Sequence, residues 1–430
     1  MQISFILALA VTAKLAFADD DTTTSSTTSR ATTTSASATT SGSLRTTSTN
    51  PCSFSRTTMS AATAVGQLNA CSTLDGDITI TGNEIGVLDL SGVEEIKGDL
   101  TIFNAPSLVS LNFNRLETIS GSLVLNNNTH LQAIDMTSLT VADDLQFISL
   151  PGFATLNLNQ GVSRAGRVVL SDTALENLNG LAHFDTIDYM NINNNKNIVE
   201  INFEDLETVT DALILSFNHD DAVVSLNSLR WAGNLTVQDV AEFSARNLTA
   251  VNGSLSISYN SFESLNISSL TTVGSSLQVF ANDEITDLSF GSLREIGGEL
   301  RLFNNTLLED LNDSFSALQR VRGAVSITGP IANFSVASLE RVDGDFELTS
   351  TSEDFDCSRL DELHDDGDIQ GHNYVCTHAE VEASLTESTS TGASTTTAGG
   401  STTTRESNAD KPYTPAGMLA CFLAGVLTFL

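Results

Sequence analysis

The amino-acid sequence predicts an all-β fold in which about 13 short repeats stack as the coils of a parallel β-solenoid. Three observations predict it. The middle of the 430-residue chain repeats with a period close to 22 residues, apolar residues recur at fixed places, and most repeats hold two strand patterns. Two strand patterns within one repeat leave no room for a helix of ordinary length.

The first strand pattern defines the coils, each counted from a start position. These positions are Gly76, Gly98, Gly121, Asp143, Gly166, Asp188, Asp211, Gly233, Gly253, Ser275, Gly298, Gly323 and Gly344. The residues two and four after the start position are apolar in all 13 coils. Apolar residues at every second place predict a strand with one buried face. Glycine at nine start positions and aspartate at three favour a sharp backbone turn before each strand.

The second strand pattern follows 11 to 15 residues after most start positions. Examples are Leu88-Asp89-Leu90, Leu111-Asn112-Phe113, Ile201-Asn202-Phe203, Leu265-Asn266-Ile267 and Leu288-Ser289-Phe290. A leucine-rich-repeat horseshoe also has units of about 20 to 29 residues. Here the third apolar site lies four residues before the strand site, as Ile119 does before Leu123, and this spacing favours the β-solenoid.

Asparagine recurs seven residues after the start position in seven coils. These residues are Asn83, Asn128, Asn195, Asn218, Asn260, Asn282 and Asn305. Stacked asparagines at a corner can hydrogen-bond the backbone of neighbouring coils. We therefore predict a structural role for them rather than ligand binding.

Both ends of the chain have the composition of sorting signals. An apolar stretch ending in Ala16-Phe17-Ala18 predicts a secretory signal peptide cleaved after Ala18. Residues 416–430 form an apolar tail, shorter than the roughly 20 residues of a spanning helix. Small residues and a polar spacer precede it, which is typical of a glycosylphosphatidylinositol (GPI) attachment signal. We predict attachment at Asn408, with Ser407 as the alternative residue and a weak tail anchor as the alternative reading.

Two segments rich in serine and threonine flank the repeats. They hold too few apolar side chains to offset the entropy of ordering, so we expect disordered, O-glycosylated stalks. The predicted organisation is a signal peptide (1–18), a stalk (19–51), a β-solenoid domain with cysteine caps (52–380), a second stalk (381–408) and a GPI-attachment propeptide (409–430).

The net charge of −34 argues against negatively charged partners. The chain has 19 Lys and Arg against 53 Asp and Glu. A nucleic-acid backbone or an anionic membrane surface would be repelled, so we expect neither as a partner.

Four cysteines stand just outside the repeats. Cys52 and Cys71 precede the first coil, and Cys357 and Cys376 follow the last. Each pair is 19 residues apart, and a secreted chain meets an oxidising compartment. We favour the pairings Cys52–Cys71 and Cys357–Cys376 among three possible connectivities, because the end coils need covering. Cys421 lies in the predicted propeptide.

Eight sequons for N-glycosylation predict an exposed, secreted domain. They are Asn127, Asn234, Asn247, Asn252, Asn266, Asn304, Asn312 and Asn333. Asn234 follows a start position directly and is expected on the outward face.

Catalytic chemistry was sought among paired carboxylates. Asp143-Asp144 and Asp220-Asp221 are the closest pairs, and His219 adjoins the second. The pairs lie in different coils with no partner at matching offsets, so we favour solvated turns over a catalytic site.

One cluster near the C-terminal end of the repeats has residue types that bind metals. It comprises Cys357, His364, Asp365, Asp366, Asp368, His372, Cys376 and His378. Oxidised cysteines are unavailable as ligands, which favours a disulfide cap over zinc. Calcium at residues 365–368 remains an alternative without EF-hand spacing. We expect no metal and no cofactor.

Three phenylalanines lie five residues after a start position, where strand alternation points outward. They are Phe103, Phe280 and Phe303. A stacking platform for sugar rings and a place in the core under a corner are both possible, and we favour the core.

Together these features resemble the fungal GPI-anchored cell-wall organisation proteins, the family that includes sporulation-specific wall proteins of yeasts. The stretch from Gly98 to Gly121, G-D-L-T-I-F-N…S-L-N-F-N-R-L-E-T-I-S-G, its repeats, the cysteines and the tail carry the resemblance. The core also resembles the receptor L-domain. The resemblance implies a right-handed β-helix at the cell surface, needed for wall integrity and a normal outer mannoprotein layer, without established catalytic residues.

We therefore predict a non-catalytic, GPI-anchored surface glycoprotein that contributes to cell-wall organisation, held at the outer leaflet of the plasma membrane, in the wall, or both. The expected partners are wall polysaccharide or wall mannoproteins, with membrane contact through the lipid only. The alternatives are a receptor-like or adhesive module and a β-helix carbohydrate-active enzyme.

Overall fold

The computed structural model describes residues 50–181 and 183–379. The chain divides into two units, Met1–Ser228 and Leu229–Leu430, called unit 1 and unit 2 below. The predicted signal peptide, the attachment residues Asn408 and Ser407, and nearly all of both predicted stalks lie outside the described residues. The predicted fold class is confirmed, because the chain is nearly all-β and forms about 13 coils of a parallel β-solenoid.

Unit 1 holds seven start positions and begins with two short helical segments between its first two strands. The helix is α1 (Ala62–Gly66), and a 3₁₀ helix follows it at Gln67–Ala70. The strands are β1 (Ser53–Met59), β2 (Thr73–Ile80), β3 (Val87–Asp89), β4 (Glu95–Lys97), β5 (Leu100–Phe103), β6 (Ser110–Asn112), β7 (Thr118–Asn126), β8 (Ala133–Asp135), β9 (Val141–Leu150), β10 (Thr155–Asn157), β11 (Arg164–Thr173), β12 (Thr186–Asn193), β13 (Glu200–Asn202), β14 (Thr208–Ser216) and β15 (Val223–Ser225).

Unit 2 holds six start positions and ends with a helix and a last strand. The strands are β16 (Trp231–Gln238), β17 (Glu242–Ser244), β18 (Ala250–Val251), β19 (Leu255–Ser258), β20 (Ser264–Asn266), β21 (Thr272–Val273), β22 (Leu277–Phe280), β23 (Asp287–Ser289), β24 (Glu295–Ile296), β25 (Leu300–Phe303), β26 (Asp310–Leu311), β27 (Arg320–Val321), β28 (Val325–Gly329), β29 (Asn333–Phe334), β30 (Arg341–Val342), β31 (Phe346–Ser350) and β32 (Tyr374–Thr377). Helix α2 (Ser358–Asp365) lies between β31 and β32.

Strands of successive coils pair in parallel, with equivalent residues side by side. In unit 1, Ile80 pairs with Ile102, and Ile102 pairs with Leu125. In unit 2, Val279 pairs with Leu302. We call the sheet that contains the start positions the main sheet of each unit. The second strand pattern forms separate parallel sheets, β3–β6–β8–β10 and β13–β15 in unit 1 and β20–β23 and β26–β29 in unit 2.

The core of each unit lies between these sheets. The apolar residues two and four after the start position are at most 3% exposed in every coil. The apolar residues of the second pattern are buried as well, for example Leu111 and Phe113. Burying one such side chain contributes roughly 1.5 to 3 kcal/mol. Both predicted strand patterns are therefore confirmed. In each, the burial of every second side chain stabilises the strand.

In seven coils a strand runs through the start position, so the predicted sharp turn before the strand is wrong there; in the other six coils the start position lies between two short strands. Strand β7 runs through Gly121, and its register to β9 shifts between Ile119 and Ser122. A Cβ atom on Gly121 would lie 2.1 Å from the carbonyl oxygen of Gly98 in the preceding coil. Glycine is required there because the backbones of two coils approach each other.

The asparagines seven residues after the start position form ladders of buried amides. Asn128, Asn195, Asn218, Asn260, Asn282 and Asn305 are at most 3% exposed. Each side-chain Nδ2 donates to a backbone carbonyl of the preceding coil, as Asn128 does to Ile102 (2.9 Å). The Oδ1 of Asn128 accepts from the backbone N–H of Ala105 (2.9 Å). The predicted structural role is confirmed for these six residues.

Asn83 is the exception, because its side chain is exposed. The segment that precedes its coil does not continue around a full turn after Met59. That segment enters helix α1 at Ala62 instead, so Asn83 has no complete corner beneath it.

Disulfides and helices close the two ends of the described chain. Cys52 is bonded to Cys71, directly after the 3₁₀ helix, with the two Cα atoms 5.7 Å apart. Cys357 is bonded to Cys376, with the two Cα atoms 6.0 Å apart. Helix α2 begins at Ser358, directly after Cys357. These pairings are the ones that the sequence favours, whereas the short helices beside them have no signal in the repeat pattern.

We expect Asn195→Ala to destabilise unit 1 by about 2 to 3 kcal/mol. The change removes the acceptor of the Thr173 N–H (3.2 Å) and the donor to the Leu170 carbonyl (3.0 Å), and both groups are buried. Urea unfolding followed by circular dichroism measures the effect. Asn83→Ala is the matched control, with an expected change within about 0.5 kcal/mol because that side chain is exposed. Equal effects of the two substitutions would contradict the ladder's role.

Candidate functional surface

The main sheet of unit 1 carries a connected group of polar side chains on its outward face. Strand alternation places the residues one, three and five after a start position on this face. We call the group the polar strip. Its members are Asp144, Gln146, Arg167, Ser171, Tyr189, Asn191 and Asn193, on strands β9, β11 and β12.

The register of these strands lines up three different side chains. Asp144 pairs with Arg167, and Arg167 pairs with Tyr189. The guanidinium carbon of Arg167 lies 4.0 Å from the centre of the Tyr189 ring, which is a cation–π contact. The cation is thereby held between a carboxylate on one side and an aromatic ring on the other.

A chain of hydrogen bonds continues from the tyrosine along the strip. Asn191 Nδ2 donates to the Tyr189 hydroxyl oxygen (3.3 Å), and Asn193 Nδ2 donates to Asn191 Oδ1 (2.7 Å). The Ser171 hydroxyl donates to Asn193 Oδ1 (2.7 Å). These bonds fix the amides in position on a rigid sheet, so the strip presents an ordered set of donors and acceptors.

Asp144 is the most unusual group of the strip. Its Oδ2 accepts from Gln146 Nε2 (2.8 Å), while its Oδ1 is buried without a hydrogen-bond partner among the described residues. Burial raises the pKa of the carboxyl above its ordinary value, although the Gln146 bond and the Arg167 charge oppose the rise. The carboxylate of Asp99, two coils away on the same face, adds to it.

The arrangement is suited to a flat, hydroxyl-rich ligand. Amides, a guanidinium group and a tyrosine ring are the kinds of group that hydrogen-bond hydroxyls and pack against apolar ring faces.

The aspartate pairs predicted from the sequence do not form a site together. Asp143 is exposed beside the half-buried Asp144. Asp220 lies 3.7 Å from Lys196 Nζ, and the backbone N–H of Asp221 donates to His219 Nδ1 (2.9 Å). Asp220 and Asp221 lie in a turn, which agrees with the solvated turn favoured from the sequence. Asp143 and Asp144 lie inside strand β9, so the turn expected for that pair is wrong.

The cysteine, histidine and aspartate cluster near residue 370 makes structural contacts. The rings of His364 and Tyr374 stack with centroids 4.4 Å apart, and the Tyr374 hydroxyl donates to Asp361 Oδ1 (2.7 Å). Burial and this carboxylate raise the pKa of Tyr374. Within residues 50–181 and 183–379, no group of three or more His, Cys, Asp or Glu side chains is placed to hold a metal ion.

Phe280 and Phe303 lie outside the core, so the core position favoured from the sequence is wrong. Their rings stack on the outward face of unit 2 with centroids 4.8 Å apart and planes within 3°. Tyr259 contacts Phe280 edge to face at 5.7 Å, and Phe103 in unit 1 is 41% exposed. These rings lie one and three residues after the buried residues, and this odd offset places them on the outward face of the strand.

All eight sequon asparagines have exposed side chains, so each is sterically open to glycosylation. Their distribution is uneven. Unit 1 contains Asn127 alone, and the other seven lie between Asn234 and Asn333 in unit 2. The polar strip therefore lies in the unit with the fewer predicted glycans. Occupancy of the sequons stays a prediction.

Comparison with known proteins gives the family. The family model described as Receptor L domain matches residues 70–160. The cell surface GPI-anchored protein ECM33 of Candida albicans is 55% identical over 341 residues, which are 79% of this chain and 82% of that protein. The chain belongs to this family of fungal surface proteins.

More distant relatives of the same family match about half of the chain. The cell wall mannoprotein PST1 of Saccharomyces cerevisiae is 34% identical over 50% of this chain and 47% of its own length. The cell wall protein ecm33 of Schizosaccharomyces pombe is 30% identical over 52% of this chain and 53% of its own length. No solved structure matches the chain.

Family members are GPI-anchored surface proteins and cell-wall proteins, and none of these three names refers to an enzyme. In the part of the chain that the structure describes, no helix is both long enough and apolar enough to cross a membrane.

The polar strip was missed in the sequence although a signal existed. Residues that are neighbours along the chain, such as Asp143 and Asp144, do not reveal it. Asp144, Arg167 and Tyr189 each lie one residue after a start position in successive coils. Comparing residues of equal offset would have brought them together, because the parallel register stacks equal offsets.

The raised pKa of Asp144 predicts a pH-dependent effect of Asp144→Asn. The folded state binds the proton more tightly than the unfolded state, so the wild-type protein loses stability as pH rises from the ordinary Asp value through the folded pKa. We expect the variant to be more stable than wild type at about pH 7, with the difference vanishing near about pH 3. Urea unfolding at both pH values measures it.

The matched control is Asp143→Asn, which removes the same charge from an exposed neighbour. An Asp144→Asn protein that is less stable than wild type at neutral pH would contradict the desolvation argument.

Proposed function

We propose that the protein contributes to the organisation of the fungal cell wall as a non-catalytic, glycosylated surface protein. Its polar strip contacts wall polysaccharide or the glycans of wall mannoproteins. The observation that supports this contact is the ordered, outward strip of hydrogen-bonding and aromatic side chains in a unit with one predicted sequon. The strongly acidic chain favours a neutral polymer over an acidic one.

The predicted GPI anchor would place the protein, and with it the polar strip, at the cell surface. Attachment at Asn408 would hold the protein at the outer leaflet of the plasma membrane. Transfer from the membrane would give it a second location, in the wall. The secreted, disulfide-bonded domain and the names of the relatives support this location.

The carboxylates support a binding role over hydrolysis. Glycoside hydrolysis needs two carboxyl groups about 5 to 9.5 Å apart that both reach the substrate. Asp99 and Asp144 are two coils apart, and two strand spacings are about 9.6 Å, at the upper limit of this range. Asp99 Oδ1 already accepts from the Ser122 N–H (3.1 Å) and hydroxyl (2.8 Å). The free oxygen of Asp144 is buried and so does not face a ligand.

We expect the double variant Arg167→Ala, Tyr189→Ala to bind isolated wall material about five- to tenfold more weakly than wild type. Losing ligand contacts worth about 1 to 1.4 kcal/mol of binding free energy corresponds to a change of this size. Sedimentation with the alkali-insoluble wall fraction measures binding. The same variant should fail to restore normal resistance to wall-binding dyes in a deletion strain.

Arg115→Ala is the matched control. Arg115 is an exposed arginine of the same unit that pairs with Glu94 outside the strip. Wild-type binding by the double variant would contradict the proposed surface. Saturable binding of one soluble protein in place of wall material would support the receptor-like alternative.

A carbohydrate enzyme is a second candidate, because Asp144 has a raised pKa and a second carboxylate shares its face. Under the proposal, purified wild-type protein releases no reducing sugar from wall fractions. Release of sugar that Asp144→Asn abolishes would establish the enzyme instead.

A further inference from the structure

Phenylalanine at the outward position five after the start occurs in three coils. Phe103 is 41% exposed, and Phe280 and Phe303 are partly exposed and stacked on each other. Leaving these apolar rings in contact with water is unfavourable in proportion to their exposed apolar area.

Sequons occur next to these rings. Of the 13 coils, only two have a sequon asparagine six residues after the start, namely Asn127 and Asn304. Phe103 pairs with Asn126, so it lies one strand spacing from the corner that carries Asn127. Phe303 directly precedes Asn304 in the chain. Phe280, which lies in the preceding coil, pairs with Phe303. Every phenylalanine at this offset therefore adjoins a sequon at this corner.

The side chain of Asn127 already points toward the coil that carries Phe103. Its Nδ2, the atom that would bear a sugar, donates to Oδ1 of Asn104. Asn104 is the residue directly after Phe103 in the preceding coil. A sugar on this nitrogen would start beside the phenylalanine ring.

The surroundings of Asn304 leave room for a sugar. The residue at the same offset in the preceding coil is Ala281, and one coil further is Tyr259, which is 56% exposed. Asn304 and Tyr259 are thus two strand spacings apart, about 10 Å, across a small side chain and alongside the Phe280 and Phe303 rings.

Both corners are rigid, so the direction of the side chain is fixed. Asn127 and Asn304 have left-handed backbones, with φ of 54° and 55°. The next residues, Asn128 and Asn305, are buried and donate to carbonyls of the preceding coil at 2.9 Å each. A rigid attachment point lowers the entropy that a glycan loses when it packs against the protein.

We propose that the first N-acetylglucosamine of the N-glycans at Asn127 and Asn304 packs its apolar ring face against these phenylalanines, so that the chain's own glycans cover its outward rings. Attachment joins Asn Nδ2 to C1 of the sugar, with loss of an N–H proton and departure of the pyrophosphate of the lipid-linked donor. Sugar C–H groups then replace water on the aromatic surface.

A double-mutant cycle tests the packing at the corner in unit 1. Asn127→Asp removes the glycan and keeps a residue that tolerates the left-handed backbone, and Phe103→Leu removes the ring and keeps an apolar side chain. In secreted, glycosylated protein we expect each variant to lower Tm by about 2 to 4 °C, and the double variant to lower it no further. The non-additivity should survive trimming with an endoglycosidase that leaves one sugar.

The matched control is Asn312→Asp, which removes a sequon beyond the end of strand β26, away from the phenylalanine corner. Its effect should add to that of Phe103→Leu. If Asn127→Asp fails to fold, enzymatic removal of the glycan from folded wild-type and Phe103→Leu proteins gives the same comparison.

Three results would overturn the inference. The first is an unglycosylated Asn127 in mass spectrometry of the peptide. The second is additive effects of the two substitutions on Tm. The third is weaker binding of Phe103→Leu to isolated walls when removal of the glycan changes the Tm of wild type and of Phe103→Leu equally. The last result would assign the ring to an external polymer. The inference does not rest on the polar strip, since neither Phe103 nor Asn127 belongs to it.

Discussion

The hydrogen bonds between parallel strands of successive coils are the interaction on which the other features depend. They hold residues of equal offset side by side, so one apolar residue must sit above another in each coil for the core to be continuous. Ile80, Ile102 and Leu125 show this in three successive coils of unit 1. The same closeness requires glycine where two backbones approach, as at Gly121 above Gly98.

The register that orders the core also orders the surface. Residues of equal offset on the outward face become neighbours although they are 22 or 23 residues apart in the chain. Asp144, Arg167 and Tyr189 meet for this reason, and so do Phe280 and Phe303. A substitution in one coil can therefore extend a surface that already exists in the next coil.

The sequence predicted the features that repeat and missed those that occur once. Apolar residues two and four after the start position gave the strands, and the asparagine offset gave the ladder. The sharp turn expected at the start positions is wrong in the seven coils where a strand runs through them, because close approach between coils leaves no trace in a single repeat. The short helices beside Cys71 and Cys357 lie outside the repeats. The burial of Asp144, which raises its pKa, depends on the folded structure and had no local signal in the sequence.

The corner six residues after the start shows how the buried asparagines widen the choice of surface residues. Ten coils have a residue other than glycine there with a left-handed backbone, which costs roughly 1 to 2 kcal/mol. Four corners lack the following buried asparagine, and their left-handed residues are Asn104, Ser149, Asp172 and Asp239. Those short polar side chains include the residue types that tolerate this conformation best. Phe217, Tyr259 and Ala281 take it only where Asn218, Asn260 and Asn282 follow. The hydrogen bonds of the ladder, each worth about 1 kcal/mol net, offset the strain, so bulky aromatic residues become possible at a corner that would otherwise exclude them.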